Sequence, residues 1–425
     1  MRKFLTSFFL CILGTALPSF AANTPPPMRS HPIVATDWSF ECVNGSACGA
    51  SNDSWITTAS RPGTVRLWDA GTSWAILQSG SNTYNWTNLD TWLDMVAAHQ
   101  PSAVIFTFGH VPCFIASIAC GSTGQVSKYW SGGTPIDLTS NGSATFTAFV
   151  TALTKHCSAA GHCVKNYIKY WEMWNEPNLS HYWSGSVNQL YDMFKPVIPI
   201  IRANVPGAIV STPPISGGDT TYIGSWLSLE NSNGRLSDYY GFHSYLSGYE
   251  PETRLNMIIR MVKAKNDAGW TTTPWMNTET NFNVGTDVCT SSAEDCRGQL
   301  IRWHVMQYAY QGGAGGAFHV GWYNWTSISS GGYDTYYYTM MQWLTGASFT
   351  ASCSSNGTVW TCPLTEASGA TALFVWDSAG NSTYTPASQY VDYRSFNGTN
   401  GGAKTTIASG QATTIGLIPI MFESK

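Results

Sequence analysis

Trp171-Glu172-Met173-Trp174-Asn175-Glu176-Pro177 carries an apolar, strand-like run into an Asn-Glu pair. A second such run, Pro274-Trp275-Met276-Asn277-Thr278-Glu279, ends on another glutamate, 103 residues after Glu176. A (β/α)8 barrel of roughly 250 residues spends about 31 on each strand-helix unit, so this interval is close to three units, the separation of strands 4 and 7. Strand ends on one face of a barrel converge on one substrate. A pair of carboxylates meeting there suits cleavage of a glycosidic bond: one protonated carboxyl donates to the leaving oxygen while one ionised carboxylate attacks or stabilises the anomeric carbon.

Around these two runs, eight short apolar segments read as barrel strands: 33–38, 64–68, 103–108, 168–174, 208–212, 239–245, 274–278 and 316–322. Between them, Leu89, Trp92, Leu93 and Val96, and again Phe146, Phe149, Val150 and Leu153, recur at helical spacing, so each helix turns one apolar stripe toward a sheet. Strands alternating with helices are the signature of a parallel sheet. The first crossover, 42–61, shows no good helical period. After Gly346 the chain turns to Ser, Thr, Gly and Asn with β-prone runs at 358–361, 372–376 and 415–422, which predicts a small antiparallel β-sandwich over 346–425. The expected organisation is therefore a 1–22 leader signal, a 23–345 α/β barrel (with 23–30 extended) and the C-terminal sheet domain.

Composition narrows the partners. Charged residues are 11% of 425 and the net charge is −4, so no basic field is present to hold nucleic acid or an anionic membrane surface. Tryptophans number 19, almost as many as the 21 Lys plus Arg. Their flat faces suit sugar rings, and sugar stacking is one expected use of that surplus, core packing the other. Arg2 and Lys3 ahead of the apolar run 4–17, with Ser19-Phe20-Ala21 at a small-residue cleavage site, read as a secretory signal. Beyond it no segment reaches the roughly 18 apolar residues of a membrane span. Ten further cysteines fall into near neighbours, Cys42 with Cys48, Cys113 with Cys120, Cys157 with Cys163, Cys289 with Cys296 and Cys353 with Cys362. In an oxidising compartment these make five short-loop disulfides. None has C-x2-C spacing and no His-Glu-x-x-His helix occurs, so neither a structural metal nor a cofactor is expected. Serine-hydrolase, phosphate-loop and dinucleotide fingerprints are missing as well.

The string Trp174-Asn175-Glu176-Pro177-Asn178, with Thr278-Glu279-Thr280 on strand 7, resembles the glycoside hydrolases of clan A. Val65-Arg66-Leu67-Trp68-Asp69, Gly71-Thr72-Ser73-Trp74 and Gly241-Phe242-His243-Ser244-Tyr245 resemble family 39 within it, over roughly 33–344. The resemblance implies a retaining double displacement with Glu176 as acid/base and Glu279 as nucleophile. Retention needs the carboxyls about 5–5.5 Å apart, where the charge on Glu279 is expected to raise the pKa of Glu176.

Substrate contacts are expected from several neighbours. Asn175 is a candidate for the sugar 2-hydroxyl, or a plain strand-end residue. Tyr245 resembles the clan tyrosine that donates to the nucleophile. His243 is either a site residue or a satisfied core histidine, Trp322 a floor and Trp74 a wall of the subsite unless they pack in the core, with His110 and His319 possible contacts. Arg66 pairs either with Glu172, expected some 13 Å below Glu176 on an extended strand, or with Glu279. The implied partner is a neutral oligo- or polysaccharide handled by a secreted, monomeric enzyme. A transglycosylase using the same glutamates, or a non-catalytic glycan-binding protein, are the alternatives. Nine Asn-x-Ser/Thr sequons occur, and a glycan on one of them, Asn178, would obstruct the cleft. The 111–143 insertion is the segment expected to decide endo or exo action.

Overall fold

The computed structural model describes residues 38–41, 64–68, 70–99, 103–116, 141–283, 288–310, 315–323, 327–328, 331–396 and 402–425. The expected signal and leader, the first crossover with Cys42 and Cys48, Cys120 and most of the 111–143 insertion lie outside those residues.

Eight strands, β1 (Trp38–Glu41), β2 (Thr64–Leu67), β3 (Ala103–Thr107), β4 (Ile168–Glu172), β5 (Ile209–Ser211), β6 (Tyr240–His243), β7 (Trp275–Thr280) and β8 (Ala317–Trp322), form one sheet. Its order is β5-β4-β3-β2-β1-β8-β7-β6 and every pairing is parallel. The end strands β5 and β6 are themselves linked, by parallel bridges Ser211–Tyr239 and Ile215–Phe242. Parallel neighbours need crossovers, and those among the described residues, from β2 to β8, are helical: α1 (Thr87–His99), α2 (Asn141–Lys155), α3 (Val187–Phe194), α4 (Ile198–Asn204), α5 (Thr220–Asn233), α6 (Pro251–Asp267) and α7 (Ala293–Ala309), with α8 (Asp334–Leu344) after β8. The stripes read from sequence are the buried ones. Leu89, Trp92, Leu93 and Val96 on α1 and Phe146, Phe149, Val150 and Leu153 on α2 are all buried in the main core. Helix starts follow local chemistry: Ser186 and Gln189 form a reciprocal capping box on α3, and Asp219 accepts from the amides of Thr221 and Tyr222 at α5.

Strand alternation sorts the sheet's inner face into layers. Ile105, Tyr170, Ile209, Tyr239, Met276 and Phe318, from six different strands or their edges, make one apolar cluster. Two residues further along three of those strands come Thr107, Glu172 and Thr278, and these polar side chains hydrogen-bond together. An apolar plug therefore underlies a polar floor, and the chemistry lies above it, at the C-terminal ends of the strands.

The C-terminal residues form a seven-stranded antiparallel sheet and a two-stranded one, Ser382–Tyr384 with Thr413–Ile415. Leu373, Val375, Ile420 and Phe422 of the larger sheet share a small core with Ile415 and Tyr384 of the smaller. The expected single run 415–422 is two strands, Thr413–Ile415 and Ile420–Ser424, in different sheets. Pro419, with no N–H for a ladder, and Gly416 make the break that lets the chain change sheets.

Three of the expected disulfides are formed, Cys157–Cys163, Cys289–Cys296 and Cys353–Cys362. Cys113 is also disulfide-bonded. Such bridges fit an oxidising compartment. Among the described residues no helix is long and apolar enough to cross a membrane.

Candidate active site

The strand β4 ends at Glu172, and the next four residues turn sharply. Trp174 and Glu176 both take left-handed backbone angles, φ 77° and 41°, unusual for side chains with a Cβ. Glu176 N–H is held by Pro214 C=O at 2.9 Å. Of the non-glycine residues with positive φ, His110, Trp174, Glu176 and Ser247 follow β3, β4 and β6 at the same end of the sheet; the fifth, Asn82, lies in a surface hairpin. Strain of this kind concentrates at functional sites, where the surroundings over-determine the geometry. The turn corrects one expectation: Glu172 does not lie four extended residues below Glu176, because the strand has already ended.

Arg66, on β2 and wholly buried, ties three neighbouring side chains together. Its Nε donates to Glu172 Oε2 at 2.7 Å, Nη1 to Glu279 Oε2 at 2.7 Å and Nη2 to Asn175 Oδ1 at 2.7 Å. The two partners weighed from sequence are thus both taken, one by each side of a planar fork. Glu172 accepts in addition from Thr107 and Thr278. Burial pushes the Glu172 carboxyl up, but the charges of Arg66 and His243 and the two hydroxyls outweigh it and hold the group below the ordinary carboxylate value.

Thr278 and Glu279 are adjacent in sequence, yet both face the site. Strict alternation forbids this, and a register shift supplies the reason: β6 pairs Phe242 with Asn277 but His243 with Glu279. The bulge re-aims Glu279 inward. Asn277, on the outer side, donates to Gln307 of α7. Tyr245 donates its phenol hydrogen to Glu279 Oε1, as the resemblance implied.

His243 lies between the two glutamates, with Nδ1 2.8 Å from Glu176 Oε1 and 3.6 Å from Glu279 Oε2, and Nε2 3.3 Å from Thr278 Oγ1. One ligand atom from each of Glu176, His243 and Glu279 lies within 4.8 Å of the others. Such a trio also resembles a metal site, but Arg66 and Tyr245 already occupy both oxygens of Glu279, a setting that opposes a further cation.

The ionisation of the two glutamates departs from expectation. For Glu176 burial acts upward, but the hydrogen bond and charge of His243, then Ser216 and Arg66, bring the carboxyl below its usual value. For Glu279 burial is not overcome by His243, Arg66 and Tyr245, and with the charge of Glu176 adding to it the pKa is raised. The anticipated raising of Glu176 by Glu279 is not what results, because His243 lies closer to Glu176, at 2.8 Å against 3.6 Å. Two carboxyls this close titrate as a pair.

Asn175 is 1% exposed, and its Nδ2 has no hydrogen-bond partner among the described residues. Asn178 exchanges two 3.0 Å hydrogen bonds with the backbone of Ser216, so the Nδ2 that a glycan would need is already engaged.

The tryptophan expectations need correction. Trp74 is wholly buried, donates to Gln78 at 2.7 Å and packs on Phe146 and Phe149 behind the sheet. Trp322 is wholly buried, donates to Ser327 and stacks on His304 of α7. Neither presents a face to a sugar, and six further tryptophans are fully enclosed, so much of the surplus is core. His319 is enclosed too. Just beyond the end of β2 stands a tryptophan that sequence reading did not single out, packed on His110. Trp68, two residues beyond Arg66, meets His110 at 4.8 Å and Tyr182 at 5.6 Å. A Cβ on Gly109 would come within 2.2 Å of the Trp68 ring, which explains the glycine there. The signal was available: strand alternation puts residue 68 on the same side as Arg66.

No protein-family model matches the chain. A β-xylosidase of Caldicellulosiruptor saccharolyticus is 30% identical over 108 residues, 24% of this chain and 21% of the relative, so the chain spans about a fifth of that relative's length. Solved structures agree over far more. A glucosidase from Croceicoccus marinus superposes with a TM-score of 0.60 at 12% identity, covering 93% of this chain and 97% of that one. A family 30 subfamily 8 xylanase from Clostridium acetobutylicum gives 0.60 at 13%, covering 92% and 96%. A family 39 enzyme from Xanthomonas axonopodis pv. citri gives 0.58 at 13%, covering 94% and 96%. The chain has the fold of these glycoside hydrolases, which bears out the resemblance at the level of architecture.

Proposed function

We propose that this chain is a retaining glycoside hydrolase, with Glu279 as nucleophile and Glu176 as acid/base, on a closed (β/α)8 barrel over 23–345 followed by a β-sandwich over 346–425. The observation that carries the reading is that one oxygen of each carboxyl lies within 4.8 Å of one of the other. Retaining enzymes hold them about 5–5.5 Å apart, whereas inverting ones need about 6.5–9.5 Å to admit a water. The cyclic strand order and the β5–β6 bridges support closure.

The chemistry comes out of the contacts. Arg66 and Tyr245 orient Glu279 from both oxygens, leaving it aimed for attack on an anomeric carbon. Glu176 must carry a proton when the bond breaks. A sugar filling the site excludes the remaining water and strengthens the burial effect, which already acts upward on Glu176. Once Glu279 is glycosylated its charge is gone, Glu176 acidifies, and it can take a proton from water. The Asn175 Nδ2, which has no partner among the described residues, suits donation to a sugar 2-hydroxyl, a bond that strengthens in the transition state. Arg66 spends its donors on protein acceptors, which favours a neutral glycan over an acidic one. A neutral β-linked glycan of the xylan or glucan kind is the substrate proposed, and secretion to an oxidising compartment suits its disulfides.

The test is turnover of a panel of aryl β-glycosides by wild type, Glu279→Gln and Glu176→Ala. Glu279→Gln should lower kcat by about 10⁴-fold or more. Glu176→Ala should be severe for poor leaving groups and mild for good ones, which need no protonation. Equal turnover by wild type and Glu279→Gln would remove the assignment.

A further inference from the structure

Trp376, in the C-terminal sheet, donates its Nε1–H to Glu252 Oε1 at 2.7 Å. Glu252 lies in the first turn of α6, seven positions after Tyr245, at the end of the loop that leaves β6. Arg302 of α7, wholly buried, meets both Glu252 oxygens through Nη1 at 3.0 and 3.2 Å. Its Nη2 reaches Glu250 at 3.1 Å and Asp295 at 2.7 Å. Three carboxylates thus share one guanidinium, and like charges so placed repel. The neutral donors settle the excess: Trp376 on Glu252, and Gln299 on Glu250 at 3.0 Å and on Asp295 at 2.9 Å.

The other end of the same loop is fixed to the strand that carries Glu279. Leu246 N–H donates to Asn281 C=O at 2.9 Å and Ser247 N–H to Phe282 C=O at 2.7 Å, with Ser247 at a left-handed φ of 54°. Helix α7 is pressed against the C-terminal chain as well, since a Cβ on Gly298 would lie 2.4 Å from the Leu417 carbonyl oxygen. The loop bearing Tyr245 is therefore stretched between the nucleophile strand and a charged junction that the C-terminal sheet completes.

We infer that Glu252 and Trp376 are positioning residues for the nucleophile: through them the C-terminal sheet holds the β6–α6 loop so that the Tyr245 phenol stays on Glu279. This rests on the proposed role of Glu279 and gives the C-terminal sheet a part in the reaction, beyond covering the barrel. Loss of the Trp376 donor leaves the carboxylate cluster under-compensated, the start of α6 shifts, and the phenol moves off Glu279. A displacement of this kind costs rate and leaves ground-state binding of a small substrate largely intact.

The experiment uses the full chain with Trp376→Phe and with Glu252→Ala, which removes the acceptor that both Trp376 and Arg302 use, each alone and combined with Tyr245→Phe, on an aryl β-glycoside. Each single variant should lower kcat about tenfold with little change in KM. It should also move the kcat/KM profile of the coupled carboxyls to higher pH, because the phenol that hydrogen-bonds Glu279 and lowers its pKa has been displaced. On the Tyr245→Phe background neither change should matter further. A drop in melting temperature with kcat and pH profile unchanged, or effects that multiply with Tyr245→Phe, overturns the inference. Amide hydrogen exchange gives a readout that needs no turnover: the Leu246 and Ser247 amides should exchange faster in Trp376→Phe while the amides of α2 do not. Unchanged exchange there overturns the inference even if wild type cleaves no glycoside tested, an outcome that by itself bears on the proposed function.

Discussion

Arg66 Nε stands 2.7 Å from Glu172 Oε2, with neither side chain exposed to solvent. Glu172 thus anchors the guanidinium whose other nitrogens reach Glu279 and Asn175. A buried pair broken from one side leaves an uncompensated charge, at a cost of about 3–5 kcal/mol. Glu172→Ala should lower unfolding stability by about that amount, measured by denaturant titration, and abolish turnover in the fraction that stays folded. A stability within error of wild type would show that Arg66 is held by other means.

His243 lowers the pKa of both glutamates, so its removal has a definite sign. In His243→Phe the ring volume stays while the donor and charge go, and both carboxyls should titrate higher. Both limbs of kcat/KM, which report the coupled pair of carboxyls, should move to higher pH. A profile in which either limb moves down would contradict the geometry.

His304 packs between Trp322 and Tyr337, and burial, only partly opposed by its bond to Leu300 C=O, depresses its pKa from 6.5 to about 4. The folded state refuses a proton that the unfolded chain accepts below pH 6.5. Stability from this residue is therefore complete above pH 6.5 and falls as pH drops toward 4, by on the order of 3 kcal/mol. His304→Phe should flatten the stability curve between pH 6.5 and 4, whatever its cost at neutrality. An unchanged slope in that window would place the acid sensitivity elsewhere.

Much of the site was legible in the sequence where period and motif reinforce one another. The inward set of Arg66, Glu172, Glu176, His243 and Tyr245 comes from strand alternation and the Asn-Glu-Pro string, and the apolar stripes of α1 and α2 are buried as read. What stayed hidden depends on departures from regular geometry. The bulge that turns Thr278 and Glu279 to the same side has no one-dimensional signal, nor does the turn after Glu172 that brings Glu176 beside His243. Tryptophan misled for a different reason. Its indole serves a core as well as a sugar subsite, and Trp74 and Trp322 found their N–H partners inside the protein, at Gln78 and Ser327. The Trp376–Glu252 contact joins residues 124 apart and carries no motif at all.

The proposed double displacement requires Glu279 to form a bond to the sugar. An activated 2-deoxy-2-fluoro glycoside slows the second displacement and lets the covalent intermediate accumulate, so digestion of the inactivated protein followed by mass spectrometry locates the attachment. One glycosyl unit is expected on the peptide containing residue 279, at the Glu279 side chain. Attachment at Glu176, or hydrolysis of the parent glycoside by wild type with inverted product and no adduct, would refute the nucleophile assignment.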